Sequence, residues 1–330
     1  MNFIPYEQLN GTPNIIVDGA ACAGTLLTLS HWPHSRTPAE LLRDTSTEIA
    51  FAYLDSPPHH VQAAAVSNNH FDEDGLVGIF TVLNPAAAQA HRELLIDVAS
   101  AGDFAVYRSR DAARIAFTIS TYGDSMASPF ALDLFELPYA QMASNLYVRL
   151  LELLPRLITH LGDFESLWRD EDDRLAWSER LIEKGAIVIE EVPTLDLAVV
   201  RIPDDLPERT VHRFAQATLT DVHPYALHSR TKCSRMLLLR GKHVEFHYRY
   251  ESWVQMASRR PPARVDLAAL ASELTTQETS GGRWTFDGVD KITPKLMIEG
   301  GAATALAPDA VRQMVESHLR NGAAAWNPYD

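Results

Sequence analysis

The sequence predicts an α/β protein of two domains: a parallel-sheet N-terminal domain with helices on both faces, a linking helix, and a smaller α/β C-terminal domain. Three observations predict it. Short apolar runs, Asn14 to Val17 and Val61 to Val66, end in polar loops, and the second leads into an apolar helix, which is the βα unit of a parallel sheet. A heavily charged helical stretch, Glu165 to Lys184, divides the chain near its middle. Beyond Gly185 the pattern changes to alternating strands. The expected limits are residues 1–164 for the first domain, 165–185 for the linking helix and 186–330 for the second domain.

Taken in order, Asn14 to Val17 reads as a buried strand that ends in Asp18-Gly19. An Ala/Gly/Leu segment, Ala20 to Leu29, leads to the polar turn from Ser30 to Pro38. Pro38 to Leu54 reads as a helix, with proline at its start and apolar residues at Leu41, Leu42, Ile49, Ala50 and Tyr53. Ser56-Pro57-Pro58 stops it. Val61 to Val66 is the second strand, Ser67 to Gly75 a polar loop, and Leu76 to Leu83 a helix broken at Asn84-Pro85. Ala86 to Ala99 is helical, Ala101-Gly102-Asp103 a turn, and residues 129–161 a Leu-rich helical region stopped at Gly162. The linking helix carries few apolar residues, among them Leu167, Trp168, Leu175, Leu181 and Ile182, as expected of a helix bridging two domains. Ala186 to Val192, Leu195 to Ile202, Arg235 to Leu239 and Val244 to Tyr250 read as strands, and Val265 to Leu274 as a helix.

Composition narrows the function classes. Hydrophobic residues are 46% and charged residues 22% of 330, as in a globular protein with enough chain for two cores. No apolar run reaches the ~20 residues needed to cross a bilayer. Met1-Asn2-Phe3-Ile4-Pro5 lacks the basic start of a signal peptide, so the cytoplasm is the expected location. The two cysteines, Cys22 and Cys233, do not stand at zinc-ligand spacing. A net charge of −14 repels a nucleic-acid backbone, which argues against long polynucleotides. A small phosphorylated substrate remains compatible, because a bound cation can reverse the field locally. A homodimer is kept open as the oligomeric state.

The chemistry concentrates in Asn69 to Gly75. His70, Asp72 and Asp74 alternate, so an extended chain would point all three one way. Two carboxylates and an imidazole suit Mn²⁺, Mg²⁺ or Zn²⁺. Without a cation the carboxylates would repel and raise one pKa. Gly75 would let the backbone turn tightly into the helix. Asp74 equally suits the N-cap of a helix starting at Leu76. His31 and His34, three apart around Trp32-Pro33, could share a metal, contact a phosphate, or simply mark a surface turn. Asp18 stands where a strand-end ligand would, or begins a turn with Gly19. Gly281-Gly282-Arg283 offers amides and a guanidinium for a phosphate or carboxylate, or is an exposed turn, and Arg249 adds a cation nearby in sequence.

With these residues in view, the chain resembles the DHH phosphoesterase superfamily. There a strand ends in His-x-Asp-x-Asp-Gly/Ala and leads into a small-residue helix, as in Val66-Ser67-Asn68-Asn69-His70-Phe71-Asp72-Glu73-Asp74-Gly75-Leu76. The name-giving Asp-His-His is absent. Ser30-His31-Trp32-Pro33-His34 resembles a degraded form of it and precedes the other motif instead of following it. The resemblance implies that His70, Asp72 and Asp74 are catalytic ligands of a one- or two-metal centre, usually manganese. It implies a metal- or phosphate-contacting role for His31 and a further ligand in Asp103, with Asp18 added from its strand end. A DHH-associated-like second domain would hold substrate through Gly281, Gly282 and Arg283, with Arg249 and His34 assisting. The implied function is divalent-metal-dependent hydrolysis of a small, nucleotide-like phosphoester or phosphodiester. Two alternatives are a metal-dependent reaction of another type on a specialised metabolite, and a catalytically inactive nucleotide-binding protein.

Overall fold

The structure is a computed structural model that describes residues 1–206 and 222–330. It divides into two compact units. Unit 1 comprises Met1–Asp173 with Gln255–Arg259, and unit 2 comprises Arg174–Val254 with Arg260–Asp330.

Unit 1 is built on a parallel sheet of β1 (Asn2–Phe3), β2 (Asn14–Val17), β3 (Thr25–Leu29) and β4 (Ala65–Ser67), in the order β1-β4-β2-β3. The return from β2 to β3 uses only residues 18–24. Helix α1 (Ser46–Leu54) follows β3 and α2 (Glu73–Leu83) follows β4. Strand alternation puts Val17 on one face, where its methyl would lie 2.7 Å from a Cβ on Gly78. The missing side chain is thus what lets α2 settle onto the strand. Ile16 faces the other way, into a cluster with Leu9 and Ala65 against which Ile4, Tyr6 and Cys22 pack. Helices α3 (Pro85–Ala90), α4 (Arg92–Phe104), α5 (Arg110–Gly123) and α6 (Tyr139–Thr159) complete the unit.

Helix α7 (Glu165–Glu183) carries the division between the units, between Asp173 and Arg174. In unit 2 a six-stranded sheet has the order β10-β11-β8-β7-β6-β5. Its members are β5 (Val188–Val192), β6 (Leu197–Ile202), β7 (Arg235–Arg240), β8 (His243–Tyr248), β10 (Trp284–Phe286) and β11 (Lys295–Ile298). Only the β6–β7 pairing is parallel. The short helix α8 (Pro224–His228) precedes β7, and β9 (Arg264–Val265) pairs with the C-terminal β12 (Ala324–Trp326). One face of the large sheet forms a core with α9 (Ala268–Gln277) and α10 (Pro308–Asn321), and Val200, Ile202 and Met236 enter a second buried cluster with Ile187 and Leu227. Leu197, Val199, Leu237, Phe246, Tyr248 and Leu296 supply the first of these from alternate strand positions.

The fold class is the one expected: α/β, with a parallel sheet flanked by helices first and a sheet-rich region second. No helix among the described residues is long and apolar enough to cross a membrane. Several boundaries differ from the sequence reading. The first helix begins at Ser46, not at Pro38, because Thr45 and Glu48 form a capping box there. The second strand is only Ala65–Ser67. The expected single helix from Ala86 to Ala99 is two, α3 and α4, meeting at His91. Ala101-Gly102-Asp103 is the last turn of α4 and not a loop; the chain turns only at Ala105, which takes a left-handed φ of 55°.

Candidate metal centre

Parallel strands bring their carboxyl ends to one edge, and the site of unit 1 lies there. Asp18 follows β2 directly, in a left-handed conformation with φ 52°, and its N–H still bonds the Leu29 carbonyl at 3.0 Å. His31 comes two residues after β3. His70 and Asp72 follow β4, Asp74 sits in the first turn of α2, and Asp103 in the last turn of α4. All six therefore come from strand ends or helix ends.

Their side chains converge. His70 Nε2 lies 2.8 Å from Asp72 Oδ2 and 3.2 Å from Asp18 Oδ2. His31 Nε2 lies 3.5 Å from Asp18 Oδ1 and 3.4 Å from Asp103 Oδ2. The other ring nitrogen of His31, Nδ1, sits 2.6 Å from the Asp44 carbonyl. A carbonyl only accepts, so Nδ1 carries a proton and Nε2 is the atom presented to the carboxylates. That is how a histidine ligand is usually oriented. Backbone N–H groups of Ala257 and Ser258 in turn hold the Asp44 carboxylate, and the N–H of Gln255 donates to the His31 carbonyl at 2.7 Å.

The extended, one-sided run expected of His70, Asp72 and Asp74 does not form. The strand ends at Ser67, and the N-cap of α2 is Asp72, not Asp74, accepting from Gly75 N at 2.8 Å. His70 and Asp72 nevertheless meet. Asp74 reaches the site by another route: its two oxygens accept the N–H groups of Ser46 and Thr47 at 2.7 Å each, capping α1 as well. Gly75 is needed for a different reason than a tight turn, since its φ is not positive. A Cβ there would lie 2.3 Å from Asn68 Nδ2 and 2.4 Å from the Tyr147 hydroxyl.

Burial makes this cluster electrostatically costly. Asp18, Asp74 and Asp103 are almost wholly inaccessible, as is His31. Burial, with Asp18 close by, pushes the Asp74 carboxyl up to about 7, against the pull of His31. Burial and the charges of Asp74, Asp72 and Asp18 push Asp103 well above the usual carboxylate range. Burial works against the charged form of Asp72 too, but His70 and the Gly75 N–H overcome it and bring the carboxyl down to about 2. His70 is the reverse case: burial would lower it, yet Asp72 and Asp18 hold it well above its ordinary value. In the absence of another cation, the imidazolium of His70 supplies the positive charge.

The donor set fits a divalent ion on two counts. Asp18, His70 and Asp72 form one group, and Asp18, His31 and Asp74 another, each with its ligand atoms within 4.8 Å of one another. Asp18 belongs to both. The separations of 2.8–3.5 Å are those expected along the edges of a coordination shell whose bonds are ~2.0–2.2 Å. Asp18 Oδ2 and Asp103 Oδ2 are buried, and apart from their approaches to His70 Nε2 and His31 Nε2 they accept no hydrogen bond of good geometry, which leaves lone pairs for an ion.

Of the other expected residues, Arg249 sits inside unit 2 with its guanidinium engaged by the protein itself. It is fully buried, with Nη1 donating to the carbonyls of Thr231 and Cys233 and Nη2 paired to Glu251 at 2.5 Å. Those bonds tie the end of β8 to the segment before β7. Gly281, with φ 83°, Gly282 and the exposed Arg283 form the loop between α9 and β10 of unit 2, whereas unit 1 alone supplies the cluster. His34 is exposed and lines a cavity together with Gly19 and Trp32. Sequence reasoning missed Asn68 and Tyr147. The Asn68 amide nitrogen and the Tyr147 hydroxyl are buried next to Asp72 and make no hydrogen bond of good geometry. Asn68 adjoins the motif and was within reach of a reading of the loop. Tyr147 arrives from α6, and nothing in its neighbourhood in sequence marks it.

Compared with known proteins, the whole chain, residues 1–330, matches a family of unknown function, DUF6687, and the chain belongs to that family. No curated protein matches it.

Proposed function

We propose that this DUF6687 protein is a divalent-metal-dependent hydrolase of a small phosphoester or phosphodiester, with manganese as the ion and magnesium or zinc as substitutes. One observation carries the reading: Asp18 is shared by two groups of ligands, each completed by one histidine and one further aspartate. A shared carboxylate is the arrangement that holds two cations side by side. The resemblance of the segment from His70 to Gly75 to the DHH phosphoesterases supports the same reading.

In it, His31, Asp18 and Asp74 would hold one ion and Asp18, His70 and Asp72 the other, with Asp103 as an additional ligand. Ions bound there would lower the pKa of water and offset charge developing on phosphorus. The protein's own residues do the rest. Asp44 fixes His31 in the tautomer that presents Nε2. Ser46 Oγ donates to Asp18 Oδ1 at 2.8 Å and orients the shared carboxylate. His70 and Asp72, with side chains 21% and 29% exposed, are the accessible edge of an otherwise buried cluster, so substrate approaches from that side. The Tyr147 hydroxyl and the Asn68 amide nitrogen are buried behind Asp72 and back the ligand loop from inside the unit.

The test is a panel of nucleotides, cyclic nucleotides and simple phosphodiesters incubated with the full chain and Mn²⁺. Turnover that a chelator abolishes and added Mn²⁺ restores is expected. Protein that binds no Mn, Mg, Zn or Fe, or that turns over none of the panel with metal bound, overturns the proposal.

A further inference from the structure

We propose that the loop from Ser30 to Thr37 is a preformed subsite for a phosphate group of the substrate, gripped by Arg36 and His34 beside the carboxylate cluster. The inference rests on the hydrolase reading only in placing the scissile bond at His70 and Asp72; the phosphate subsite itself stands on separate observations.

The first is a cavity of about 420 Å³, lined by Gly19, Ala20 and Ala21 on one side and by the loop residues Trp32, His34 and Arg36 on the other. It adjoins the cluster through two of its walls. Gly19 follows Asp18 in the chain, and the Trp32 indole stacks on the His70 imidazole, centroids 4.9 Å apart and planes 27° apart. The small residues leave room for a ligand to approach the backbone. A Cβ on Gly19 would stand 2.3 Å from Asn69 Oδ1, whose carbonyl oxygen accepts the Ala20 N–H at 3.1 Å, so this wall too is fixed in place.

The second is the way the loop spends its polar groups. Ser35 Oγ and Thr37 Oγ1 both donate to the Ser30 carbonyl, at 2.8 and 2.7 Å. The Ser30 N–H donates to Thr37 Oγ1 at 3.0 Å, the Trp32 N–H to Ser30 Oγ at 3.2 Å, and Thr28 Oγ1 to the Ser35 carbonyl. The hydroxyl residues are thus consumed within the loop, and Ser35 is buried. His34 and Arg36, on either side of it, are exposed and make no hydrogen bond or ion pair with the described residues. Arg36 thus keeps its guanidinium free of any carboxylate partner among the described residues, beside the cavity that it lines.

The third is backbone conformation. His34 and Arg36 both hold a left-handed φ, 59° and 61°, which costs energy for any residue but glycine. Strain of this kind persists where the surrounding structure over-determines it, commonly at ligand sites. Here the internal hydrogen bonds hold it, and its effect is to present two nitrogen-bearing side chains on either side of a buried serine. A guanidinium fork and an imidazole together match an oxyanion that has three free oxygens better than the two of a carboxylate. The substrate class this defines is a phosphoester that carries a second, terminal phosphate.

Inorganic phosphate titrated into the full chain, with and without Mn²⁺, tests the proposal. Arg36→Ala and Arg36→Gly are compared with the wild type; the glycine variant relieves the left-handed backbone and guards against misfolding. Both variants should bind phosphate at least tenfold more weakly while their Mn²⁺ affinity stays within twofold. Unchanged phosphate affinity in Arg36→Gly, no binding by the wild type at millimolar phosphate, or equal binding of succinate would overturn it. Loss of the hydrolase reading registers separately, as absent Mn²⁺ binding with Arg36-dependent phosphate binding intact.

Discussion

Replacing Asp18 by asparagine probes the shared carboxylate with little collateral damage. Asparagine is among the few residues that tolerate the left-handed φ of 52° found there. Its amide oxygen keeps the acceptor for Ser46 Oγ. The substitution removes one carboxylate partner of His70, but it also removes one of four carboxylates crowded into a buried volume. These effects oppose each other, so the metal-free variant should melt within a few degrees of the wild type. The metal-bound proteins should differ far more. Mn²⁺ at a hundred times its dissociation constant stabilises the protein that binds it by about 2.7 kcal/mol. For a domain of this size that is roughly 5 to 11 °C, at ~2–4 °C per kcal/mol. Differential scanning calorimetry with and without Mn²⁺ should show that shift in the wild type and less than about 2 °C of it in Asp18→Asn. A full shift in the variant would mean that Asp18 does not join two ligand groups, and the reasoning would fail.

Other outcomes follow from the same geometry. The folded, metal-free cluster holds extra protons: His70 is raised above its ordinary value and Asp74 is raised to about 7. Both groups bind protons more tightly folded than unfolded, so their contribution to stability is complete at low pH. It falls as pH rises, from about 4 toward 7 for Asp74 and above about 6.5 for His70. Mn²⁺ must displace those protons, so its binding should release protons and tighten with rising pH; calorimetry in buffers of differing ionisation enthalpy measures both, and proton-neutral binding would contradict the assignment of His70 and Asp74 as ligands. Gly75→Ala should cost about 1–3 kcal/mol in chemical denaturation, because its Cβ overlaps Asn68 and Tyr147. Adding Tyr147→Phe should recover part of that loss, and Tyr147→Phe alone should leave metal-free stability unchanged or slightly higher, since it deletes a buried hydroxyl without a partner. Arg249→Ala should cost about 3–5 kcal/mol by stranding Glu251, with Mn²⁺ affinity unaltered.

How much of this the chain discloses depends on the distance over which each feature is decided. Asp18 and His70 are legible because a parallel sheet must deliver its strand ends to one edge, and short apolar runs mark those ends, whereas His31 shows only through its spacing to His34, because β3 before it reads as an Ala/Gly/Leu segment. The one-sided arrangement of His70, Asp72 and Asp74 was wrong in form, because capping at Asp72 starts a helix before the strand alternation can continue. Asp103 looks like a turn residue beside Gly102, yet α4 runs through both. Packing explains this: Gly102 leaves room for Glu73, whose Cβ would lie 2.7 Å from a Cβ at that position. Helix α5 escaped detection since Ile115, Thr118, Ile119 and Thr121 are β-branched residues of low helix propensity, and its buried face decides the outcome. Tyr147 and the burial of Arg249 are set by contacts between segments remote in sequence, which no local pattern encodes. The two residues of the phosphate loop differ in the same sense. His34 is visible from its spacing to His31, whereas Arg36 gains meaning only once its lack of partners is known.

Crystals grown with Mn²⁺ and measured for anomalous scattering would test the centre most directly. The account predicts two peaks that share Asp18, one bonded to His31 Nε2 and the other to His70 Nε2, at ~2.0–2.3 Å. Peaks confined to surface carboxylates, with His70 still hydrogen-bonded to Asp72, would contradict it.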